Sequence, residues 1–138
     1  MANEAEVVEL GQTRGDVIDL TCDDGVAIPS GTIVAIQGNR HISGSTAVDG
    51  SQYGFGITAS EKVALDGQTK IGVYTRGLFR CTMSATDEVS AGEYVCISGT
   101  NLLGELKFGG TSDTVKQVLG RAMQDIASGA RGVIKLGL

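Results

Sequence analysis

The stretches VAIPSGTIVAI (residues 26–36) and EVSAGEYVCI (residues 88–97) follow one pattern: a glycine, two residues, a valine, one residue and an isoleucine. Glycine accepts the positive φ that tight turns require, and the residues after it alternate between two faces as they do in a β-strand. Each stretch is therefore predicted to be a β-turn that leads into a strand. Two copies indicate a fold assembled from small β-modules.

The composition extends this prediction to the whole chain. The 138 residues suffice for one hydrophobic core, and 41% of them are hydrophobic, which is ordinary for a soluble domain. The 21 glycines and the aromatic content of only 4% favour many short elements and tight turns over long helices. We therefore expect an all-β fold with at most one short helix.

The charge balance excludes some partners. The net charge is −5 at pH 7, the pI is near 4.7, and the 11 basic residues are scattered along the chain. Because clustered lysines and arginines are needed to bind phosphate backbones, no nucleic-acid partner is expected. The acidic start MANEAEVVEL lacks an apolar signal-peptide core, and no apolar run approaches a membrane span. We expect no membrane partner and synthesis in a cytosol.

The predicted domain organisation separates an arm from a body. Residues 1–14 are predicted to form an extended N-terminal arm, because the first ten residues alternate only weakly and lack the pattern of a core strand. Residues 15–138 are predicted to form a single β-rich domain that opens with a strand at Gly15–Thr21. Pro29 is expected at the second position of a turn, where its fixed φ is favourable.

The polar stretch Gln37–Phe55 is predicted to be a long surface loop, because it is rich in Gly, Ser, Asn and Asp. A loop of this length is a candidate contact surface. Its candidate exposed contacts are Asn39, Arg40, His41 and Tyr53. Tyr53 and Phe55 suit two roles, stacking on a sugar or a partner, and closing the loop onto the core.

The rest of the chain is predicted to form hairpins. Asp66-Gly67 between two strand-like runs is a hairpin signal, and Gly77–Met83 continues as a strand. The segment 114–126 is ambiguous, because its apolar residues follow helical spacing while Gly120 interrupts it. We favour a strand at Val118–Gln124 that pairs with a closing strand at Arg131–Leu136.

No catalytic, cofactor or metal site is predicted. His41 is the only histidine and lies in the polar stretch, and Cys22, Cys81 and Cys96 have neither disulfide nor metal-knuckle spacing. They are interpreted as reduced, with Cys81 and Cys96 mostly buried. The carboxylates of Asp23-Asp24, Asp66 and Asp87-Glu88 fit turns better than a calcium loop. Arg14-Gly15-Asp16 spells an adhesion tripeptide, but it also simply opens a strand.

Several motifs, mostly of glycine and apolar positions, recur along nearly the whole chain: Gly15-Asp16-Val17-Ile18, Gly31, Gly77-Leu78-Phe79, Gly92-Glu93-Tyr94-Val95, Val118–Met123 and Ala127–Leu136. With these motifs and its N-terminal arm, the chain resembles the small head decoration proteins of tailed bacteriophages, the capsid-cement group.

The resemblance implies a small β-barrel or β-tulip body and a structural, non-enzymatic virion protein. It implies a homotrimer on the outer surface of the expanded capsid, at three-fold and quasi-three-fold positions, with the major capsid protein as partner. It also implies that the N-terminal arm pairs with capsid-protein strands. The predicted capsid-interface residues are Ala2, Asn3, Glu4, Ala5, Glu6, Val7, Val8, Glu9 and Leu10.

The predicted mechanism is non-covalent stapling of the shell. An arm that is disordered in the free protein becomes a strand on the capsid, with Val7 and Leu10 buried and Glu4, Glu6 and Glu9 in water. One alternative is a glycan-binding surface module that uses the 37–55 stretch. A second is a small β-barrel enzyme that uses cysteine and His41.

Overall fold

The computed structural model describes residues 3–10, 17–44, 53–106 and 118–137, without the side chain of Tyr53. These residues form eleven strands and no helix. The strands are β1 (Glu6–Glu9), β2 (Ile18–Thr21), β3 (Ile33–Gly38), β4 (His41–Gly44), β5 (Tyr53–Thr58), β6 (Lys70–Tyr74), β7 (Gly77–Met83), β8 (Tyr94–Gly99), β9 (Leu102–Glu105), β10 (Val118–Ala122) and β11 (Arg131–Leu136). The all-β prediction is confirmed.

The strands close into two barrels in sequence order. Strands β2 to β6 form barrel 1, a closed barrel with the order β2-β4-β3-β5-β6. Strands β7 to β11 lie in a sheet with the order β7-β11-β10-β8-β9, and a further pairing of β7 with β9 closes them into barrel 2. Strand β1 joins barrel 2 at β7. A small barrel body is therefore confirmed, and the division into residues 1–14 and 15–138 remains a prediction.

The two barrels repeat one topology. In each, the first strand pairs in parallel with the third and antiparallel with the fifth. In each barrel, an isolated β-bridge joins the segment between the first and second strands to the segment between the fourth and fifth. The bridge pairs Ile28 with Lys62 in barrel 1 and Val89 with Ile126 in barrel 2. Lys62 and Ile126 therefore occupy equivalent positions.

The sequence pattern shared by residues 26–36 and 88–97 produces equivalent turns. The amide of Thr32 donates to the carbonyl of Pro29, and that of Glu93 donates to Ser90, so each turn spans four residues. The third residue of each is glycine, with φ of 86° at Gly31 and 90° at Gly92, as a type II turn requires. Pro29 therefore stands first in its turn, and the prediction that placed it second is wrong.

The long loop predicted over Gln37–Phe55 is also wrong. Strand β3 continues to Gly38, a two-residue turn follows, and His41–Gly44 forms β4. Arg40 takes a φ of 56° in this turn, and Asn101 takes the same φ in the matching β8–β9 turn. The sequence pattern did not indicate β4, because Ile42 is the one buried apolar residue in this short polar strand. Residues 45–52 of the predicted loop lie outside the described residues.

Two glycines allow the barrels to close tightly. A Cβ atom at Gly56 would collide with the carbonyl oxygen of Tyr74, and one at Gly120 would collide with that of Lys135. Both lie at irregularities in strand register, where the backbones of neighbouring strands approach closely. Gly120, which interrupts the helical spacing of 114–126, is therefore needed for the close approach of β10 to β11. The strand prediction is confirmed for Val118–Ala122. The helix alternative for 114–117 lies outside the described residues.

The core of barrel 2 extends into barrel 1. Ile33 and Ala35 of β3 and Ile57 of β5 pack in the same buried cluster as the barrel 2 residues Phe79, Val95 and Ile134, among others. The other face of β3 supplies Val34 to the separate barrel 1 core. A polar link joins the barrels as well, because the buried Asn101 Oδ1 accepts a hydrogen bond from the Ile33 amide at 3.0 Å. Strand β3 therefore has both faces covered.

The hairpin predicted around Asp66-Gly67 forms only in part. Lys62 makes an isolated bridge to Ile28, and β6 begins at Lys70, so a regular strand follows the turn but none precedes it. The closing hairpin is confirmed, since β10 pairs antiparallel with β11. The strand predicted from Gly15 is present from Ile18, and Gly15 and Asp16 lie outside the described residues.

Candidate functional site

The N-terminal segment is an edge strand of barrel 2. Strand β1 pairs antiparallel with β7, with Glu6 opposite Arg80 and Val7 opposite Phe79, and its register shifts between Val7 and Glu9. All four residues of β1 are exposed. In the described part of the chain, β7 is the only strand that pairs with β1, and the other edge of β1, which we call its open edge, has no partner strand there.

The start of the arm is fastened to both barrels. The Ala5 amide donates to the Gly31 carbonyl in barrel 1 at 2.8 Å. The guanidinium of Arg131, in barrel 2, donates to the Glu4 carbonyl at 2.8 Å. The absence of a side chain at Gly31 is necessary here, because a Cβ atom would collide with the Ala5 carbonyl oxygen.

Charge reinforces this attachment. The Glu6 carboxylate lies 3.6 Å from the Arg80 guanidinium and 3.7 Å from that of Arg131. These ion pairs are partly exposed, so each contributes modestly. The half-buried Leu10 packs against the barrel 2 core, and a shallow groove beside it is lined by Glu9, Leu10, Gly77, Leu78 and Lys135.

The expectation of a disordered arm in the free protein is therefore wrong for residues 3–10. The arm is extended, as predicted, but its own barrel already supplies its first partner strand. Leu10 is half-buried against its own barrel and 49% of Val7 is exposed, and the burial of both against the capsid remains a prediction. Asn3 takes a φ of 65°, and Ala2 lies outside the described residues. Whether residues 2–10 form the capsid interface remains a prediction.

The predicted loop contacts are divided between a turn and two strands. Asn39 and Arg40 form the exposed β3–β4 turn, and a guanidinium nitrogen of Arg40 donates to the Asp19 carbonyl at 3.0 Å. His41 begins β4, and its Nε2 lies 3.1 Å from a carboxylate oxygen of Asp23. The side chain of Tyr53 lies outside the described residues. Of the two roles weighed for Phe55, the structure supports closure onto the core, because it packs against the barrel 1 cluster.

The three cysteines are buried and reduced. Burial raises the pKa of the Cys81 thiol to about 12, and burial also raises the pKa of Cys22. Thiols with raised pKa values are poor nucleophiles at neutral pH. The described residues contain no group of three His, Cys, Asp or Glu side chains placed to hold a metal ion. The Arg14-Gly15-Asp16 tripeptide lies outside the described residues.

One polar cluster was missed by sequence reasoning. The ammonium of Lys62 is buried and donates to the Asp66 carboxylate at 2.6 Å, the Val63 carbonyl at 2.7 Å and the Asp24 carboxylate at 3.0 Å. Although burial opposes the charge, these hydrogen bonds to Asp66 and Asp24 raise the pKa of Lys62. The four-residue spacing of Lys62 and Asp66 was the available signal, but turn positions already accounted for the aspartates.

The cluster lies at one end of barrel 1, in a region that we call the barrel 1 tip, formed by residues 23–26 and 61–67. The same contacts hold its two segments together, because the Leu65 amide donates to the Asp24 carbonyl and the Gly67 amide to the Asp24 carboxylate. Three exposed apolar side chains surround the cluster: Val26, Val63 and Leu65.

Within the described residues, no helix is long and apolar enough to cross a lipid bilayer.

The chain is similar to known proteins in two comparisons. Residues 12–138 match the phage cement protein family. The solved structure of the N base of head fiber gp8.5 in bacteriophage phi29 is similar at a TM-score of 0.49 and 12% sequence identity, over 88% of this chain and 94% of that one. No curated protein matches the chain. Because the family match spans almost the whole sequence, the chain belongs to the phage cement protein family, and its role is a capsid-associated structural one.

Proposed function

We propose that this protein binds the outer surface of the expanded phage capsid and stabilises it, and that β1 adds to the edge of a sheet in the major capsid protein. The observation that carries this proposal is the open edge of β1. Among the described strands, only β7 pairs with it, on one side, and all four of its side chains are exposed. An open edge offers backbone N–H and C=O groups to an incoming strand.

The docked arm changes the energetics of the staple. A disordered arm would lose its conformational entropy when it binds. Strand β1 is already extended and held by Arg80, Arg131 and Gly31, so much of that cost is met when the chain folds. Preorganisation of this kind raises affinity without adding contacts.

Stabilisation follows from selective binding. A protein that binds the expanded lattice and not its precursor shifts the equilibrium toward the expanded form. A homotrimer at three-fold and quasi-three-fold positions, which is part of the proposal, would act at several points at once and gain from multivalency. The net charge of −5 disfavours contact between the protein and the packaged DNA.

Lysines on the open strand test the proposal. Val7 and Val8 are 49% and 43% exposed, so Val7→Lys/Val8→Lys leaves the core intact, while lysine on an edge strand opposes further pairing. In co-sedimentation with expanded, undecorated heads, we expect the wild type to bind and the double variant to bind at least about tenfold more weakly.

Met123→Lys is the matched control, because Met123 is 51% exposed on barrel 2 and lies outside β1. It should bind like the wild type. Equal binding by the double variant and the wild type would show that β1 does not lie at the capsid interface. Absence of wild-type binding to expanded heads would refute the proposed function itself.

A further inference from the structure

The exposed side chains of the barrel 1 tip differ from those at the equivalent positions of barrel 2, although the two barrels share one topology. The tip carries Val26, Val63 and Leu65, of which 53%, 56% and 78% are exposed. The repeated topology places Asp87, Ala127 and Gly129 at the equivalent positions of barrel 2. At these three positions barrel 1 carries large exposed apolar side chains, where barrel 2 carries an acidic or a small residue.

Leu65 is the most unusual of these side chains. Its φ is 60°, in the left-handed region, where Gly129 stands in barrel 2 with a φ of 73°. A residue with a Cβ loses roughly 1–2 kcal/mol in this conformation, and glycine would avoid that loss. The chain thus keeps a strained leucine whose side chain contributes little to its own core.

Hydrogen bonds also connect the two segments of the tip. The Lys62 ammonium joins the two segments through the Asp24 and Asp66 carboxylates and the Val63 carbonyl. An apolar group that is held in place before binding loses little entropy on contact with a partner. The apolar side chains are therefore presented on a fixed support.

A small cleft beside the tip contains polar as well as apolar groups. It is lined by Asp23, Val26, Ile28, Ile42, Ser43 and Gly44. Among the described residues, the Ser43 hydroxyl is the one buried side-chain oxygen or nitrogen without a hydrogen-bond partner. The Asp23 side chain at the same cleft is 69% exposed, and one of its oxygens contacts His41. The cleft thus combines apolar walls, a carboxylate and an unused hydroxyl.

We infer that the barrel 1 tip docks on an apolar surface of the major capsid protein, and that one lysine or arginine of that surface enters the cleft. Long basic side chains have an apolar stem and a charged end. The stem suits Val26, Ile28 and Ile42, and the charged end suits the exposed Asp23 carboxylate. Asp23, whose side chain is 69% exposed, favours a basic partner for the same reason, whereas Asp24 and Asp66 are already paired with Lys62.

This inference rests on the proposed function, since it concerns the same capsid partner. It adds a second contact, distinct in position and chemistry from β1. Strand β1 offers backbone groups with no demand on sequence, whereas the tip requires an apolar surface with a basic residue. The tip therefore supplies specificity.

The decisive variant is Leu65→Gly, because glycine is favoured at a positive φ and we expect the variant to keep the fold. We expect its dissociation constant for expanded heads to rise about tenfold, since one large apolar contact is lost. Asp23→Asn should also weaken binding, and its affinity should fall less steeply with rising salt than that of the wild type.

Met123→Ala serves as the control, because it removes a large apolar side chain that is 51% exposed on barrel 2. Wild-type affinity for Leu65→Gly and Asp23→Asn, measured with the same heads that discriminate the β1 variant, would overturn the inference and leave the proposed function standing. If wild-type protein fails to bind the heads, the proposed function fails first.

Discussion

Lys62 occupies in barrel 1 the position that Ile126 occupies in barrel 2. Ile126 packs against Gly132 as an ordinary core residue. Lys62 instead brings a charge into a buried position, where it must be paired to be tolerated. Asp66 and Asp24 provide that pairing, and the sequence reveals little of it, because an aspartate before a glycine is equally explained by the turn.

This pairing makes the stability of barrel 1 dependent on pH. The hydrogen bond from Lys62 lowers the pKa of Asp66 below its ordinary 3.8. A carboxyl whose pKa is lower in the folded state stabilises the protein above its unfolded pKa, and that stabilisation is lost as pH falls through the folded pKa. For Lys62, whose pKa is raised above 10.5, the loss comes at the alkaline end.

Lys62→Met tests this account. We expect the variant to melt several degrees below the wild type at pH 7, because it leaves two carboxylates without their cation. As pH falls below about 4, the gap in melting temperature should narrow, since the wild type also loses the interaction. A gap of constant size from pH 7 to pH 3 in calorimetry would contradict the assigned pairing.

Strand β1 illustrates at the scale of the element what sequence reasoning can and cannot find. Its extended conformation was predicted from composition and position in the chain. Its attachment was not, because Arg131 and Glu4 are separated by 127 positions and nothing local connects them. The β3–β4 hairpin was missed for another reason, since β4 carries a single buried apolar residue in a polar stretch.

Arg131→Met should loosen β1 without unfolding the barrels. The guanidinium donates to Thr82 Oγ1 and to the carbonyls of Glu4 and Arg80, and it lies near Glu6. Its loss should cost about 1 kcal/mol of global stability, because the site is partly exposed. Hydrogen exchange of residues 5–9 should become markedly faster while β8 and β10 stay protected. Unchanged exchange in β1 would show that Arg131 does not hold the arm.

The whole molecule is a pair of equivalent barrels with a shared core. The duplicated turn-and-strand pattern in the sequence predicted equivalent local modules, and both lead into the second strand of a barrel. It did not predict closure into two barrels, because closure depends on pairing between distant strands such as β2 with β6 and β7 with β11. The N-terminal capsid interface remains a prediction from the sequence, and the barrel 1 tip was not predicted from the sequence.

The shared core predicts that both barrels unfold together. Ile33 belongs to barrel 1 but lies fully buried in the cluster centred on barrel 2. Ile33→Ala should therefore lower the free energy of unfolding by about 2–5 kcal/mol. Denaturant unfolding monitored in both barrels should remain a single transition for wild type and variant. Two separated transitions in the wild type would show that the barrels are independent.

Cryo-electron microscopy of expanded heads decorated with this protein would show whether β1 meets the capsid through its open edge. We predict that a strand of the major capsid protein lies beside β1, at the spacing of about 4.8 Å that hydrogen-bonded strands adopt. A reconstruction in which the open edge of β1 faces solvent on every decorated site would contradict the account.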